Sequence, residues 1–158
     1  MSRGRDSSSD PGDRDDPGDR DDPGDRDGRG GREIRPPLRA WEHVLPGGWK
    51  VLAGKTDEDN DRLSIKLARA NDWWFHVRGM PGSHVLLLAK EGEEPDRETL
   101  KRAAAVAAHY SKGRTGGVVP VSATLAKYVS KPRGAKPGTV QIRKEVVFKV
   151  RPALPDEG

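Results

Sequence analysis

The chain has 158 residues, of which 32% are hydrophobic and 34% are charged, with a formal net charge of +4. This length allows one domain of ordinary size, and the low hydrophobic content predicts that part of the chain does not fold. The sequence contains no cysteine, which excludes disulfides, thiolate catalysis and cysteine-based zinc sites.

Residues 1–35 are predicted to form a disordered, acidic tail of low complexity. The hexapeptide Asp-Pro-Gly-Asp-Arg-Asp occurs three times, at residues 10–15, 16–21 and 22–27. Proline, glycine and closely spaced carboxylates all raise the cost of ordering such a segment. Apart from Met1, Ile34 is its one aliphatic side chain, and it has no aromatic residue, so burial cannot offset that cost. The tail lacks the apolar run of a signal peptide, and no run elsewhere is long enough for a bilayer. We therefore expect a cytoplasmic protein with no membrane partner.

The first half of the remaining chain predicts a strand, a short helix and two core strands. Residues 49–53 form a short apolar run, and residues 58–68 begin with acids and continue with helical spacing of apolar side chains. Two dense apolar runs follow at residues 73–77 and 84–89. The segment between them, residues 78–83, contains glycine and proline and predicts a turn.

The second half predicts one long helix and three further strands. Residues 96–111 place alanines and Leu100 on one face, with acids in the first turn, which is typical of a helix packed closely against a sheet. Residues 118–122, 139–142 and 146–150 are predicted strands. The fold class is therefore α+β: one small domain with a mixed or antiparallel sheet, a main alanine-rich helix and a short helix.

Charge is distributed unevenly along the chain. Residues 1–35 hold eight Arg against ten Asp and one Glu, a net charge of −3, so residues 36–158 carry +7. Residues 110–151 alone contain ten Lys or Arg and a single acid, Glu145. Such a positive field suits a polyanion, through steering and counterion release. A solvated surface, or a module that binds an acidic protein, has the same composition.

The segment at residues 131–138, Lys-Pro-Arg-Gly-Ala-Lys-Pro-Gly, is a candidate phosphate-binding loop. Its prolines and glycines predict a stiff loop with an exposed backbone. Main-chain amides can donate to phosphate oxygens there, while Lys131, Arg133 and Lys136 neutralise charge. An ordinary surface turn is the alternative. Lys112 and Arg114 follow the long helix, where cations also stabilise the helix dipole.

His76 and His84 flank the predicted turn and support a second hypothesis, catalysis. Facing each other across paired strands, with Ser83 and Asp72 nearby, they would supply acid and base for a metal-independent ribonuclease. A histidine within an apolar strand is more often a hydrogen-bonded structural residue, so we predict that the protein is not an enzyme. Two histidines and one aspartate fall short of a zinc site, and no metal or cofactor is predicted.

Four motifs in the same order resemble the RNA-binding domain of the NFACT family. The most specific is residues 71–85, Asn-Asp-Trp-Trp-Phe-His-Val-Arg-Gly-Met-Pro-Gly-Ser-His-Val. The others are a strand at residues 49–54 followed by Asn-Asp-Arg-Leu-Ser at residues 60–64, an alanine-rich helix ending in Tyr-Ser at residues 103–111, and Lys127 followed by the loop at residues 131–138.

The resemblance implies a stand-alone domain at residues 47–151, with a linker or lead-in at 36–46 and a C-terminal tail at 152–158. It implies an adaptor in translation quality control or tRNA metabolism that binds tRNA, rRNA or the large ribosomal subunit; DNA is not expected. The other domains of long family members have no room here, so elongation of stalled nascent chains is not implied. The predicted contact residues are Arg78, Ser83, His84, Lys112, Arg114, Lys127, Lys131, Arg133 and Lys136.

Overall fold

The structure, a computed structural model, describes residues 38–155. The predicted acidic tail at residues 1–35 lies outside the described residues, as do residues 156–158. The strands in chain order are β1 (Ala40–Leu45), β2 (Trp49–Gly54), β3 (Trp73–Val77), β4 (Val85–Leu87), β5 (Val119–Leu125), β6 (Val129–Ser130), β7 (Gln141–Ile142) and β8 (Val146–Val150). Across residues 38–155 they form a six-stranded sheet in the order β1-β2-β4-β3-β5-β8 and a separate β6-β7 pair. Every pairing is antiparallel, so the α+β prediction is confirmed in its antiparallel form.

The helices agree with the sequence pattern, and the two α-helices begin at side-chain caps. They are α1 (Asp57–Asp61), continued by a π-helical turn (Arg62–Leu67), α2 (Arg97–His109) and a 3₁₀ turn (Ala126–Tyr128). Asp96 caps α2 by accepting a bond of 2.8 Å from the Thr99 amide, which satisfies a donor left free by the first helical turn. No helix within residues 38–155 is long and apolar enough to cross a membrane.

Helix α2 packs against one face of the main sheet and forms the core with it. The helix contributes small side chains that are fully buried, which lets its axis approach the strands closely. The sheet contributes larger side chains, each of which contributes roughly 1.5 to 3 kcal/mol when fully buried. Fully buried members include Ala103, Ala104, Ala107 and Ala108 from α2, and Phe75, Val77, Val85 and Val121 from the sheet.

The structure places an edge strand, β1, within residues 36–46, where the sequence analysis had only a linker or lead-in. A turn at Gly47 and Gly48, with φ of 91° and 85°, joins β1 to β2. Left-handed backbone of this kind favours glycine. The strand escaped prediction because it lies at the sheet edge and its burial pattern does not alternate cleanly; Val44 is 58% exposed.

Two other segments differ in detail from their predicted roles. Residues 139–142 contribute a strand, β7, but it pairs with β6 rather than with the main sheet. In the predicted C-terminal tail, the Ala153 amide donates to the Ala105 carbonyl of α2 across 3.2 Å. The start of that segment therefore contacts the domain.

Candidate nucleic-acid interface

The sheet face opposite α2 carries both apolar and polar side chains, including several motif residues. Because side chains alternate along a strand, Trp74 and His76 of β3 point away from the α2 core that buries Phe75 and Val77. The register sets His76 beside Ser122 of β5, and Trp74 beside Thr124. The π-helical turn and the segment between β6 and β7 lie over this face and leave a cleft.

His84 is held as a neutral structural residue beneath this cleft. Only 3% of His84 is exposed, and its Nδ1 lies 2.8 Å from the Ser64 hydroxyl. That hydroxyl accepts a bond of 2.9 Å from the Trp74 indole N–H, so we assign its proton to the bond with His84. Burial, reinforced by the neighbouring His76, lowers the pKa of His84 to about 4.

His76 and His84 lie side by side, as the spacing predicted, and their rings make an edge-to-face contact with centroids 5.4 Å apart and planes at 82°. Burial lowers the pKa of His76 too, against an opposing backbone hydrogen bond with Gly82. Both imidazoles are therefore neutral at pH 7.

The cleft above these rings has a volume of about 370 Å³. Besides the two histidines it is lined by Arg78 and by the segment that leads into β7, including Val140. Glu145, the single acid of residues 110–151, lies against this side of the sheet. Its carboxylate accepts a hydrogen bond from Ser122 and lies 3.3 Å from the guanidinium of Arg78. Arg78, whose side chain is 58% exposed, therefore has an acidic partner within the protein.

The loop at residues 131–138 is fixed to α1 by tertiary contacts. The Lys131 ammonium donates to the Lys136 carbonyl across 2.7 Å and lies 3.2 Å from the Asp61 carboxylate. The Gly138 amide also donates to Asp61, across 3.0 Å. Lys131 is therefore half-buried and helps to hold the loop, and the RNA contact predicted at this residue stays a prediction. Arg133 and Lys136 are exposed.

The remaining predicted contact residues divide between two ends of the sheet. Lys112 and Arg114 are exposed near the start of β5, where the Lys112 amide bonds the Pro81 carbonyl. Lys127 is exposed just beyond the end of β5. A strand of this length spans roughly 20 Å, so the two ends form separate patches. The Ser83 hydroxyl donates to the Gly54 carbonyl across 2.7 Å, which ties the turn after β3 to the end of β2.

Lys127 belongs to a cluster of three cations around the Tyr128 ring, which the sequence did not predict. Lys127, Arg143 and Lys144 lie 5.5, 5.3 and 6.0 Å from the centre of the Tyr128 ring. The antiparallel pairing of β6 and β7 brings the Arg143 end of the chain back to Tyr128. The sequence signal was only the overall basic content of residues 110–151. Tyr128 and Arg143 lie far apart in the chain, so their contact cannot be predicted from local sequence.

Fold and site together define a small basic α+β domain with an exposed cationic loop and a cationic cluster. No group of three or more His, Asp or Glu side chains suited to a metal ion occurs within residues 38–155. The chain belongs to the NFACT RNA-binding domain family: the family model described as the NFACT protein RNA binding domain matches residues 44–144. The resemblance found in the sequence is thereby confirmed.

Similar proteins place the same domain within longer chains. A Bacillus subtilis protein named Rqc2 homolog RqcH is 39% identical over 105 residues, which cover 66% of this chain and 18% of that protein. The Streptococcus suis protein of the same name is 38% identical over 102 residues, covering 65% and 18%. The solved C-terminal part of the fibronectin/fibrinogen-binding protein from Streptococcus suis superposes with a TM-score of 0.69 at 33% identity, covering 77% of this chain and 49% of that one.

Proposed function

We propose that this domain binds structured RNA, either tRNA or a large ribosomal subunit that carries tRNA, chiefly through the cations of residues 110–151. One observation carries the proposal. Nine of the ten Lys and Arg side chains in that segment are exposed, and within residues 38–155 Lys131 is the one member of the ten that forms an ion pair. A surface with so many unneutralised cations gains most from a partner with many phosphates.

The proposed biological role is that of a cytoplasmic adaptor in translation quality control. The family match supports RNA as the partner, and the names of the bacterial relatives support a link to ribosome quality control. This chain spans 18% of the length of those relatives. Their whole activity therefore does not transfer, whereas the binding of RNA by this one domain does.

Binding without cleavage is part of the same proposal. His84 has both a buried environment and a pKa lowered to about 4, which favours a structural role over proton transfer at neutral pH. Exposed Lys and Arg side chains contact phosphates in any sequence, so we expect RNA shape to be recognised more than base identity.

Binding measurements with three nucleic acids of equal length test this proposal. A labelled tRNA, an unstructured RNA and a DNA duplex are each titrated with the full chain at two salt concentrations. We expect the tRNA to bind most tightly, with affinity that falls steeply as salt rises, and to remain intact after long incubation. Equal affinity for all three would leave only non-specific charge attraction, and release of RNA fragments would support the ribonuclease alternative.

A further inference from the structure

The Tyr128 cluster, consisting of Tyr128, Lys127, Arg143 and Lys144, gathers three positive charges around one ring. The cationic groups lie 5.3 to 6.0 Å from the ring centre. No two of them can then be more than about 12 Å apart. Any pair that lies within the Debye length of ~8 Å at physiological salt repels with only partial screening. Among residues 38–155 none of the three forms an ion pair with an acid.

Two cations beside the cleft, by contrast, have acidic partners. Arg78 is paired with Glu145, and Lys131 is paired with Asp61. Glu145 follows Lys144 directly in the chain, yet its carboxylate is turned toward Ser122 and Arg78. The fold thus neutralises the cations beside the cleft and leaves the cluster without a counter-charge.

The backbone of the cluster is held in a fixed and sterically disfavoured shape. The Arg143 amide donates to the Tyr128 carbonyl across 3.0 Å, and the buried Thr124 hydroxyl donates to the Arg143 carbonyl across 2.6 Å. Lys144 has a φ of 59°, and it is the one non-glycine residue with positive φ within residues 38–155. Bulky side chains rarely adopt this conformation, and such strain is common at binding sites.

We propose that the Tyr128 cluster is the main phosphate-binding site of the domain and holds the backbone of the bound RNA. The inference rests on the proposed function and assigns it to specific residues. A phosphate seated there relieves the mutual repulsion of three cations, and the Tyr128 ring positions them before the RNA arrives. The loop at residues 131–138 is then a secondary contact, made by Arg133 and Lys136.

A pair of charge-matched double variants tests the assignment. Arg143→Ala with Lys144→Ala removes two charges of the cluster, and Lys149→Ala with Arg151→Ala removes two exposed charges near the opposite end of β8. We expect the first variant to bind tRNA roughly tenfold more weakly at moderate salt and to flatten the log affinity against log salt slope by roughly two, and the second to lose much less. Equal losses in the two variants would overturn the assignment, while tRNA binding by the unaltered chain would keep the proposed function intact. Failure of the unaltered chain to bind any RNA would overturn both.

A single substitution separates binding from folding. Lys144→Gly removes one cation but relieves the left-handed backbone, which glycine adopts without steric cost. We therefore expect the melting temperature to stay equal or rise while tRNA affinity falls. A variant that melts as the wild type does and binds tRNA equally well would contradict a phosphate contact at Lys144.

Discussion

At the scale of single residues, His84 links folding to pH because its imidazole is buried and neutral. Its folded pKa of about 4 lies below the usual value of 6.5, so the unfolded chain binds a proton more readily between these values. The stability that the neutral ring contributes is complete above pH 6.5 and is lost as pH falls toward 4. The loss is about 2 kcal/mol by pH 5.

Urea unfolding at pH 7.5 and pH 5 measures this contribution. We expect wild type to lose stability between the two values, and His84→Gln, which cannot take up a proton there, to lose about 2 kcal/mol less. The variant is expected to be less stable than wild type at pH 7.5, since the bond to Ser64 is altered. The same drop in both proteins would show that other groups account for the pH dependence.

Lys131 and its neighbours Arg133 and Lys136 are expected to respond differently to substitution. Lys131→Ala removes an ion pair and two hydrogen bonds that hold the loop, so we predict a loss of stability of about 1 kcal/mol. Arg133→Ala with Lys136→Ala changes exposed side chains and should leave the melting temperature unchanged while flattening the salt dependence of RNA binding by up to roughly two units. Thermal melting and tRNA titration of both variants decide this. Equal melting temperatures for Lys131→Ala and wild type would contradict the structural role.

At the scale of elements, the loop at residues 131–138 depends on a close approach to α1. Gly138 has a φ of 86°, and an added Cβ would lie 2.8 Å from Oδ1 of Asp57. Gly134, in the same loop, has a φ of 78° but no atom within 4 Å of such a Cβ. A substitution at either glycine therefore strains the left-handed backbone, but only at Gly138 does the added Cβ also meet a neighbouring side chain.

Gly138→Ala and Gly134→Ala form a matched pair that tests this anchoring. Both should lose roughly 1 to 2 kcal/mol from the left-handed backbone, and Gly138→Ala should lose more because the loop must move away from α1. We also expect tRNA affinity to fall more in Gly138→Ala. Chemical denaturation and tRNA titration provide the comparison, and equal effects of the two substitutions would show that the contact with α1 does not hold the loop.

At the scale of the whole molecule, the acidic segment that precedes the domain is the remaining charged feature. Residues 10–27 contain nine Asp and three Arg, a local charge of −6, covalently linked to a domain with a positive surplus. Linkage raises the effective concentration of such a segment, so it can compete with RNA even through weak contacts.

We predict mild autoinhibition by this segment. Deleting residues 1–32 should tighten tRNA binding, most at low salt, and the difference should shrink as salt screens the attraction. Titration of one labelled tRNA with the full and shortened chains at two salt concentrations measures the effect. Equal affinities at low salt would contradict competition, and weaker binding by the shortened chain would indicate that the arginines of the segment assist RNA capture.

The sequence by itself determined the fold class, the long helix, the core strands and the family. Periodic burial is a local property, so alternation at residues 73–77 and the alanine face of α2 were readable from the chain. The four motifs are likewise continuous stretches of sequence, so they indicated the family without a structure. The predicted pairing of residues 73–77 with residues 84–89 also placed His76 next to His84.

Only the tertiary structure decided which cations are free. Lys131 and Arg143 are both basic residues of the same charged segment. In the structure Lys131 is paired with Asp61, whereas Arg143 lies over the Tyr128 ring and forms no ion pair within residues 38–155. Edge strand β1 was likewise missed, because its burial depends on a neighbour rather than on its own pattern. The physical reason is the same in each case. An ion pair or a sheet edge depends on contacts between residues far apart in the chain, and the local periodicity of the sequence does not specify those contacts.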